Sequence, residues 1–356
     1  MTEETSNVKM VLEECKKKVY PIVMSALCDL RYPRVFSIPK KYKKEAKTHW
    51  KMVREYPKRK GKYIRPTLLV MMAQSMGKID DSVYKLAAAM QLSEEWLLMH
   101  DDFEDGSILR RGKPAMHRMV GNELAVNTGD AIHVAMWGML YDSVEGMESV
   151  VAGKIFREFN RMLTRTALGQ AVEIGWMKKD KYDFDDDDWF FIADGKTSYY
   201  TVAGPMRLGA LCVGADEDQL EVIARFGMNL GRCFQLVDDI LDVTGNFSGL
   251  KQMGGDIYEG KRTVILGHLL KNVESDTKDK LVAILDKSRD EKTADEVEWV
   301  MQNMKEKGSV EYAKTLAKKF AMEAVLIFEK EMSFVKEVES RKKLRSLIDF
   351  ILQRDH

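Results

Sequence analysis

The sequence lacks the features that mark secreted, membrane-spanning and nucleic-acid-binding proteins. Its four cysteines, at positions 15, 28, 212 and 233, have no CxxC or zinc-ligand spacing, and four in 356 residues do not make a disulfide scaffold. No run approaches the ~18 apolar residues that span a bilayer, and the N-terminus is too polar for a signal peptide. Basic and acidic residues number 56 each, so no overall field attracts nucleic acid or an anionic membrane. We therefore expect a cytoplasmic protein with reduced cysteines, no transmembrane segment and no nucleic-acid partner.

Proline is scarce, and its distribution predicts the fold class. All seven prolines lie between positions 21 and 205, which leaves a final stretch of 151 residues without one. That stretch is rich in Leu, Ala, Met, Lys and Glu, which favour continuous helix, and no segment alternates apolar and polar residues between hairpin turns. Because no repeat or low-complexity linker divides the chain, we expect one all-α domain, a helical bundle covering residues 1–356. The predicted helices span 8–31, 40–55, 65–76, 81–104, 121–143, 148–178, 187–213, 216–244, 261–271, 275–288, 293–306, 308–331 and 334–353.

Two largely apolar stretches carry three aspartates each, with the same DDxxD spacing. They supply Asp101, Asp102 and Asp105 in "LLMHDDFEDG", and Asp238, Asp239 and Asp242 in "FQLVDDILDVTG". Unpaired carboxylates away from water are costly, so a positive partner is expected. Positions i and i+4 share a helix face, and carboxylate oxygens without nearby His or Cys suit Mg²⁺. One motif alone is equally typical of a charged helix end, but the repetition favours a magnesium site.

Four consecutive aspartates, residues 185–188, precede "WFFIADGKT". Acidic side chains suit the N-terminus of a helix, because they accept hydrogen bonds from free backbone N–H groups and complement the helix dipole. A metal site is the alternative interpretation, and the helix cap is preferred.

Basic residues occur where a diphosphate bound between the two motifs would need them. Any one of them is typical of a solvated surface charge, and their number matters only because the aspartates imply a phosphate-bearing substrate. The Gly-rich stretch "KQMGGDIYEGKRT" allows its backbone to approach an anion closely. The candidates are Lys62, Arg65, Arg110, Arg111, Lys196 with Thr197, Lys251 and Lys261.

Six motifs, in order along residues 61–263, resemble those of the trans-isoprenyl diphosphate synthases, the all-α enzymes that elongate prenyl chains. They are "GKYIRP", "HDDFEDGSILRRGKPAMH", "GQAVE", "KTSYY", "GRCFQLVDDILDVTG" and "GGDIYEGKRT". The resemblance implies a bundle whose two DDxxD motifs face each other across the mouth of a central cavity. It also implies a homodimeric, Mg²⁺-dependent prenyltransferase that ionises an allylic prenyl diphosphate, condenses it with isopentenyl diphosphate and eliminates a proton.

The same resemblance implies roles for individual residues. Mg²⁺ is expected on Asp101, Asp105 and Asp238, helped by Asp102 and Asp242, and Asp239 completes the catalytic aspartates. The allylic substrate is expected to contact Arg110, Lys196, Thr197, Gln235, Lys251 and Lys261, with Thr197 and Gln235 near the reacting carbons. Isopentenyl diphosphate is expected at Lys62, Arg65 and Arg111, with Glu94 in the same site.

Two positions depart from the family's pattern, both in the half of the site expected to bind isopentenyl diphosphate. Glu94 stands where the family usually carries His or Gln, and Tyr63 where Arg is frequent. A carboxylate facing a diphosphate is repulsive, so we expect Glu94 to pair with a nearby cation or its helix to be slightly rotated. If the departures abolish this half of the site, the chain is instead a terpene synthase that ionises its substrate alone. A regulatory partner subunit of a heteromeric synthase is the third interpretation, although such subunits tend to lose aspartates that this chain keeps.

Product length in the family depends on the bulk of the residues just before the first motif. Trp96 and Leu97 occupy those positions. By resemblance, an aromatic residue at position 96 indicates geranylgeranyl diphosphate as product, and the greater size of tryptophan leaves farnesyl diphosphate open. The alternative is that Trp96 is simply a core residue.

Overall fold

The computed structural model describes residues 3–28, 32–179, 181–245 and 253–352, and within them nearly all regular structure is helical. This confirms the predicted all-α class. The α-helices are α1 Glu3–Ala26, α2 Lys43–Val53, α3 Glu55–Lys58, α4 Ile64–Met76, α5 Asp81–Glu104, α6 Met116–Val120, α7 Asn122–Val144, α8 Ser149–Lys178, α9 Asp186–Ala193, α10 Gly204–Cys212, α11 Glu217–Thr244, α12 Gly255–Glu259, α13 Val264–Lys271, α14 Ser275–Leu285, α15 Ala294–Glu306, α16 Ser309–Glu331 and α17 Val338–Leu352.

The two long helices that carry the aspartate motifs have well-defined ends. Asp80 caps α5 by accepting a hydrogen bond from the backbone N–H of Ser82, and Asp216 forms a capping box with Gln219 at the start of α11. Both aspartate motifs lie at the opposite, C-terminal ends of these helices, where the helix dipole adds negative potential. Carboxylates placed there require cations nearby.

Helices α9 and α10 are joined by a stretch of π-helix, Asp194–Ala203, here called the π segment. The sequence predicts one helix over 187–213, and the structure shows three helical pieces in direct succession. The π segment packs against α8 and α11. An added Cβ at Gly231 of α11 would lie 2.5 Å from Ser198 Cα, so the glycine is what allows this close approach. π-Helical turns are rare and occur frequently at functional sites.

A hairpin with two-residue strands, β1 Leu109–Arg110 and β2 Lys113–Pro114, is not predicted by the sequence, and neither are the short helices α6 and α12. Its turn residues Arg111 and Gly112 have φ of +51° and +75°, the left-handed conformations of a type I′ turn. The hairpin follows the first aspartate motif and turns both arginines back towards α5.

Buried apolar side chains from α1 to α17 form one contiguous cluster. Helix α5 packs on α7, α11 on α16 and α4 on α10, so the motif-bearing helices lie inside the bundle. None of the helices in the described ranges is both long and apolar enough to span a membrane. All four cysteines are free.

The aspartate tetrad caps a helix, as predicted. Asp185 accepts a hydrogen bond from the backbone N–H of Asp188, whose carboxylate accepts one in return from the backbone of Asp185. Helix α9 begins at the next residue, Asp186. The cap therefore accounts for Asp185 and Asp188.

Candidate active site

The first aspartate motif ends α5 and contacts two lysines from distant parts of the chain. Lys196 Nζ lies 3.1 Å from Asp101 Oδ1, and Lys261 Nζ lies 3.1 Å from Asp105 Oδ2. The Asp105 side chain is almost completely buried, and that of Asp101 is about one-fifth exposed. Residues separated by more than 90 positions in sequence thus meet in one charged cluster.

Lys196 lies in the first turn of the π segment, next to Thr197. Besides Asp101, its ammonium group contacts Glu173 Oε2 of α8 at 2.5 Å. Burial alone would lower the pKa of Lys196, but the two carboxylates outweigh burial and raise it. Lys196 is therefore a permanent cation held by two exchangeable partners.

Lys261 follows the short helix α12 and is shared among three carboxylates. Its Nζ lies 2.7 Å from Glu259, 3.1 Å from Asp105 and 3.8 Å from Asp256. The left-handed Gly260, with φ of +75°, reverses the chain between α12 and this lysine. Glu259 is held in turn by Arg289, 2.9 Å away.

The second aspartate motif reaches the same cluster through α12. Asp242 is fully buried, and its Oδ2 accepts a hydrogen bond from the backbone N–H of Asp256 at 3.0 Å. The carbonyl of Asp242 accepts one from the backbone N–H of Gly254. One short helix therefore connects the second motif to Lys261, which pairs with Asp105 of the first.

The remaining members of the second motif line the same end of α11. Asp239 is buried, and Gln235 Nε2 donates a 2.7 Å hydrogen bond to its Oδ1. Burial and the neighbouring carboxylate of Asp256 raise the pKa of Asp239 well above its ordinary value. Asp238, on the more exposed side of the helix, is half-buried.

The carboxylate donors suit a divalent cation. Asp105 Oδ1 and Asp239 Oδ2 are buried oxygens with no hydrogen-bond partner among the described residues. Burial raises the pKa of Asp105 to about 7 although Lys261 opposes the shift, whereas Lys196 and Lys261 outweigh burial at Asp101 and lower its pKa. Within the described ranges no three potential ligands are already gathered at coordinating distance. Lysines occupy the carboxylates in this structure, so a cation would have to displace them.

Asp102, the middle aspartate of the first motif, faces the interior. Its buried carboxylate receives two hydrogen bonds from Arg110 Nε, at 2.9 and 3.0 Å, and one from the Tyr56 hydroxyl at 2.6 Å. Tyr56 in turn accepts from the backbone N–H of Met116. This network fixes the hairpin to α5, and it orients Arg110 towards Asp101, 3.8 Å away.

A second charged group surrounds Glu94, which lies about two turns before Asp101 on α5. Glu94 lies between two arginines, 3.3 Å from Arg65 and 3.6 Å from Arg111. The expectation that Glu94 pairs with a neighbouring cation is confirmed, with both arginines as partners. Arg65 also donates to the Thr201 hydroxyl at 2.8 Å. Arg111 is held by the fully buried Glu95 at 2.9 Å.

The loop before α4 completes this group. Gly61 lies directly against the Arg111 guanidinium, where an added Cβ would be 2.8 Å from Nη2. Lys62 is exposed beside it. Tyr63 is buried with φ of +59° and a hydroxyl that has no hydrogen-bond partner in the described chain. Burial, with a contribution from Glu95, raises the pKa of Tyr63.

Trp96 points towards α7. Its ring stacks on His133 at a centroid distance of 4.0 Å, and the His133 ring accepts a hydrogen bond from Trp137 Nε1. Trp96 and Leu97 are both half-buried and pack against the apolar core.

Several residues of the two clusters were not among the predicted site residues. Tyr56 and Glu95 carry no sequence signal, because a buried tyrosine or glutamate resembles any other until its partner is known. Glu173 and Glu259 do lie within the quoted "GQAVE" and "GGDIYEGKRT" stretches, which could have identified them. Lys251, predicted to contact the allylic substrate, lies outside the described residues.

Comparison with known proteins agrees with this architecture. A model of the polyprenyl synthetase family matches residues 47–304. The geranylgeranyl diphosphate synthase of Saccharolobus solfataricus is 30% identical over 83% of this chain and 86% of the relative. The geranylfarnesyl diphosphate synthase of Natronomonas pharaonis is 27% identical over 83% of this chain and 87% of its own length.

A crystal structure shares the fold. Geranylgeranyl pyrophosphate synthase from Corynebacterium glutamicum, complexed with isoprenyl diphosphate and magnesium, superposes with a TM-score of 0.84 at 22% identity, covering 98% of this chain and 99% of that one. The family match extends over most of the chain. The chain therefore belongs to the polyprenyl synthetase family and is a trans-isoprenyl diphosphate synthase, a short-chain prenyltransferase.

Proposed function

We propose that this chain uses Mg²⁺ to condense isopentenyl diphosphate with an allylic diphosphate, giving a short-chain all-trans prenyl diphosphate. The observation that carries the proposal is the cluster in which Lys196 and Lys261 pair with Asp101 and Asp105, next to the second aspartate motif. In this proposal, a diphosphate bound between the motifs lies beside both cations. Each can exchange a carboxylate partner for a phosphate oxygen.

The aspartates have distinct tasks in this proposal. Asp101, Asp105 and Asp238 would hold Mg²⁺, which would neutralise charge on the leaving diphosphate. Asp102 acts through Arg110, which it orients, and Asp242 acts through the backbone of α12, which it holds in place. Asp239 keeps Gln235 directed at the same end of α11.

Lys196, Lys261 and Arg110 bind the allylic diphosphate and stabilise the charge that develops as the C–O bond breaks. Thr197 and Gln235 lie near the reacting carbons, and Lys251 adds a further cation. The departing diphosphate accepts the proton that is lost, so no dedicated protein base is needed. The surrounding apolar helices keep water from the allylic cation.

Isopentenyl diphosphate binds at Arg65, Arg111 and Lys62 in this proposal. Glu94 lies about two turns before Asp101 on α5, so the arginines around it lie beside the allylic site. Both substrates are then held next to each other, which makes their condensation effectively unimolecular. Glu94 is the group that the diphosphate must displace from the two arginines.

Geranylgeranyl diphosphate is the product we propose. Trp96 supports it, because a bulky side chain just before the first motif limits cavity depth, and farnesyl diphosphate is the shorter alternative. Relatives named for geranylgeranyl and geranylfarnesyl diphosphate agree with a short chain. The stacking of Trp96 on His133 also leaves room for a purely structural role.

Further proposals concern the assembly. One contiguous core supports a single domain over residues 1–356. A homodimer is supported by an exposed apolar stripe on α7, where Leu124, Val134 and Tyr141 are 47%, 67% and 62% exposed. A cytoplasmic location accords with the four free cysteines.

One incubation tests the function. Purified protein is given Mg²⁺, isopentenyl diphosphate and dimethylallyl, geranyl or farnesyl diphosphate in turn, and the products are separated by chromatography. We expect longer prenyl diphosphates to form, and we expect their formation to stop when EDTA chelates the Mg²⁺. Hydrocarbons or alcohols formed without isopentenyl diphosphate would favour the terpene synthase, which Glu94 makes the second candidate. Activity only after a second protein is added would indicate a partner subunit.

Site variants sharpen the test. Asp101→Asn and Asp238→Asn are each expected to lower kcat by about 10²–10³, the usual effect of removing one electrostatic contact in a transition state. Asp187→Asn, in the exposed helix cap, is the matched control and should keep full activity. Equal activity in all three variants would remove the aspartate motifs from the mechanism.

A further inference from the structure

Although the net charge of the chain is zero, one part of the sequence is strongly basic. Residues 32–62 contain twelve lysine or arginine residues and two acidic ones, so the rest of the chain carries an opposite excess of ten. Every residue from Tyr32 to Glu45 is exposed. We call residues 32–51 the basic segment. Its charge is concentrated on the surface and is independent of the proposed catalytic function.

Three lysines of the basic segment share one face of α2. Lys43, Lys47 and Lys51 are spaced by four residues on α2 and are all exposed, whereas Val53 on the opposite face is buried. Lys40, Lys43, Lys44 and Lys47 make no ion pair with any residue that the structure describes. Such a face presents its charge to a partner outside the molecule.

The same segment exposes apolar side chains beside these lysines. Val35 is 99% exposed and Phe36 72%, and both lie in a short 3₁₀ turn, Arg34–Phe36. The Tyr32 ring packs edge-on against Phe36 at 5.4 Å, which supports the turn locally. A nearly fully exposed valine next to an exposed phenylalanine is unfavourable in water.

A groove adjoins the turn. It has a volume of about 410 Å³ and lies between Ile38 and α2, where Trp50 lines it and Lys43 and Lys47 stand at its rim. An aromatic wall with an ammonium rim suits an acidic lipid headgroup, because the ring contacts its apolar part and the lysines its phosphate.

We propose that the basic segment docks the protein on an anionic lipid surface, with Val35 and Phe36 inserted and the lysines of α2 over the headgroups. Stable peripheral binding generally needs both an apolar and an electrostatic contribution, and the segment supplies both. Nucleic acid explains the lysines but not the protruding valine. A second copy of the chain would have to bury the seven basic residues of this segment against an identical set.

The two contributions predict measurable effects. Each lysine near an anionic surface strengthens binding about fivefold, and each inserted apolar side chain about tenfold or more. Reversing four lysines is therefore expected to weaken binding by well over ~100-fold. Because exposed charges are screened by salt, raising NaCl to about 0.5 M should release the protein.

The experiment is sedimentation of the full chain with vesicles of phosphatidylcholine alone or with about 30% phosphatidylserine. The charge variant reverses Lys40, Lys43, Lys44 and Lys47 to Glu, and its matched control reverses the exposed Lys278, Lys305, Lys307 and Lys318. The apolar variant is Val35→Ser with Phe36→Ser, matched by Met322→Ser with Val338→Ser, both 67% exposed. Circular dichroism and turnover of water-soluble substrates check that each variant is folded.

Selective binding to anionic vesicles, lost in both segment variants and kept in both controls, is the expected result. Equal loss in the control variants would overturn the proposal, since it would reflect overall charge or hydrophobicity. Binding of RNA by the wild type, without binding of vesicles, would also overturn it. Conversion of a dimer to monomer by the apolar variant, with vesicle binding unchanged, would identify the segment as an interface between copies.

Discussion

Replacing Glu94 by glutamine should strengthen the binding of isopentenyl diphosphate, because it removes the one carboxylate that competes for both arginines. Glu94 lies 3.3 Å from Arg65 and 3.6 Å from Arg111 and is only 12% exposed. The arginines should keep their positions in the variant. Arg65 still donates to Thr201 at 2.8 Å, and Arg111 is still held by Glu95 at 2.9 Å.

The magnitude follows from Coulomb's law. Glu94 would lie about 7 Å from one negative charge of the diphosphate. At an effective dielectric constant of about 20–40, deleting the Glu94 charge makes the binding free energy more favourable by about 1–2 kcal/mol. That corresponds to an affinity about 5- to 30-fold tighter. The change belongs in the dissociation constant for isopentenyl diphosphate and not in kcat, because Glu94 does not contact the allylic cluster.

Isothermal titration calorimetry with isopentenyl diphosphate alone measures this constant directly, since no turnover occurs without an allylic substrate. The control is Glu123→Gln, an exposed glutamate in the first turn of α7. Unchanged or weaker binding in Glu94→Gln would refute the reasoning and show that Glu94 orients the arginines for the diphosphate.

Three other substitutions test separate parts of the structure. Tyr56→Phe removes the buried hydrogen bond to Asp102 and should lower the free energy of unfolding by about 1–3 kcal/mol; an unchanged denaturation midpoint would contradict it. Gly231→Ala places a methyl group against Ser198 and should cost about 1–3 kcal/mol by overpacking, with lower kcat because the π segment is displaced. Wild-type kcat and thermal stability together would refute that. Trp96→Ala should lengthen the products, and an unchanged chromatogram would leave Trp96 as a core residue only.

Sequence reasoning located the long helices well because their caps are local. Asp80 and Asp216 start α5 and α11 within one residue of the predicted positions. The predictions were less accurate for the first and last helices. The helix predicted at 8–31 spans Glu3–Ala26, and the helix predicted at 334–353 begins at Val338. Terminal helices rely on packing, which a hydrophobic pattern does not specify. The hairpin was missed because strands of two residues are too short to alternate.

At the site, the sequence located the charges but not their pairing. The spacing of the aspartates is visible in the sequence. In contrast, one hydrogen-bond partner of Asp102 is Tyr56, which lies 46 residues away. The same holds for Glu94, whose two arginine partners come from α4 and from the hairpin turn. The π segment is not visible in the sequence either, since residues such as Gly195 and Thr197 lower helix propensity without specifying π-helical hydrogen bonds.

The π segment also makes the spacing of its residues unusually strict. Between Asp186 and Cys212 the chain is helical without a break, but its hydrogen bonds reach one residue further from Asp194 to Ala203. Deleting one residue there would let ordinary α-helical hydrogen bonds close and would remove the wide turn by which this segment, Lys196 included, contacts α8 and α11. We expect insertions and deletions among homologues to fall in connectors such as residues 213–216 and to spare these ten positions.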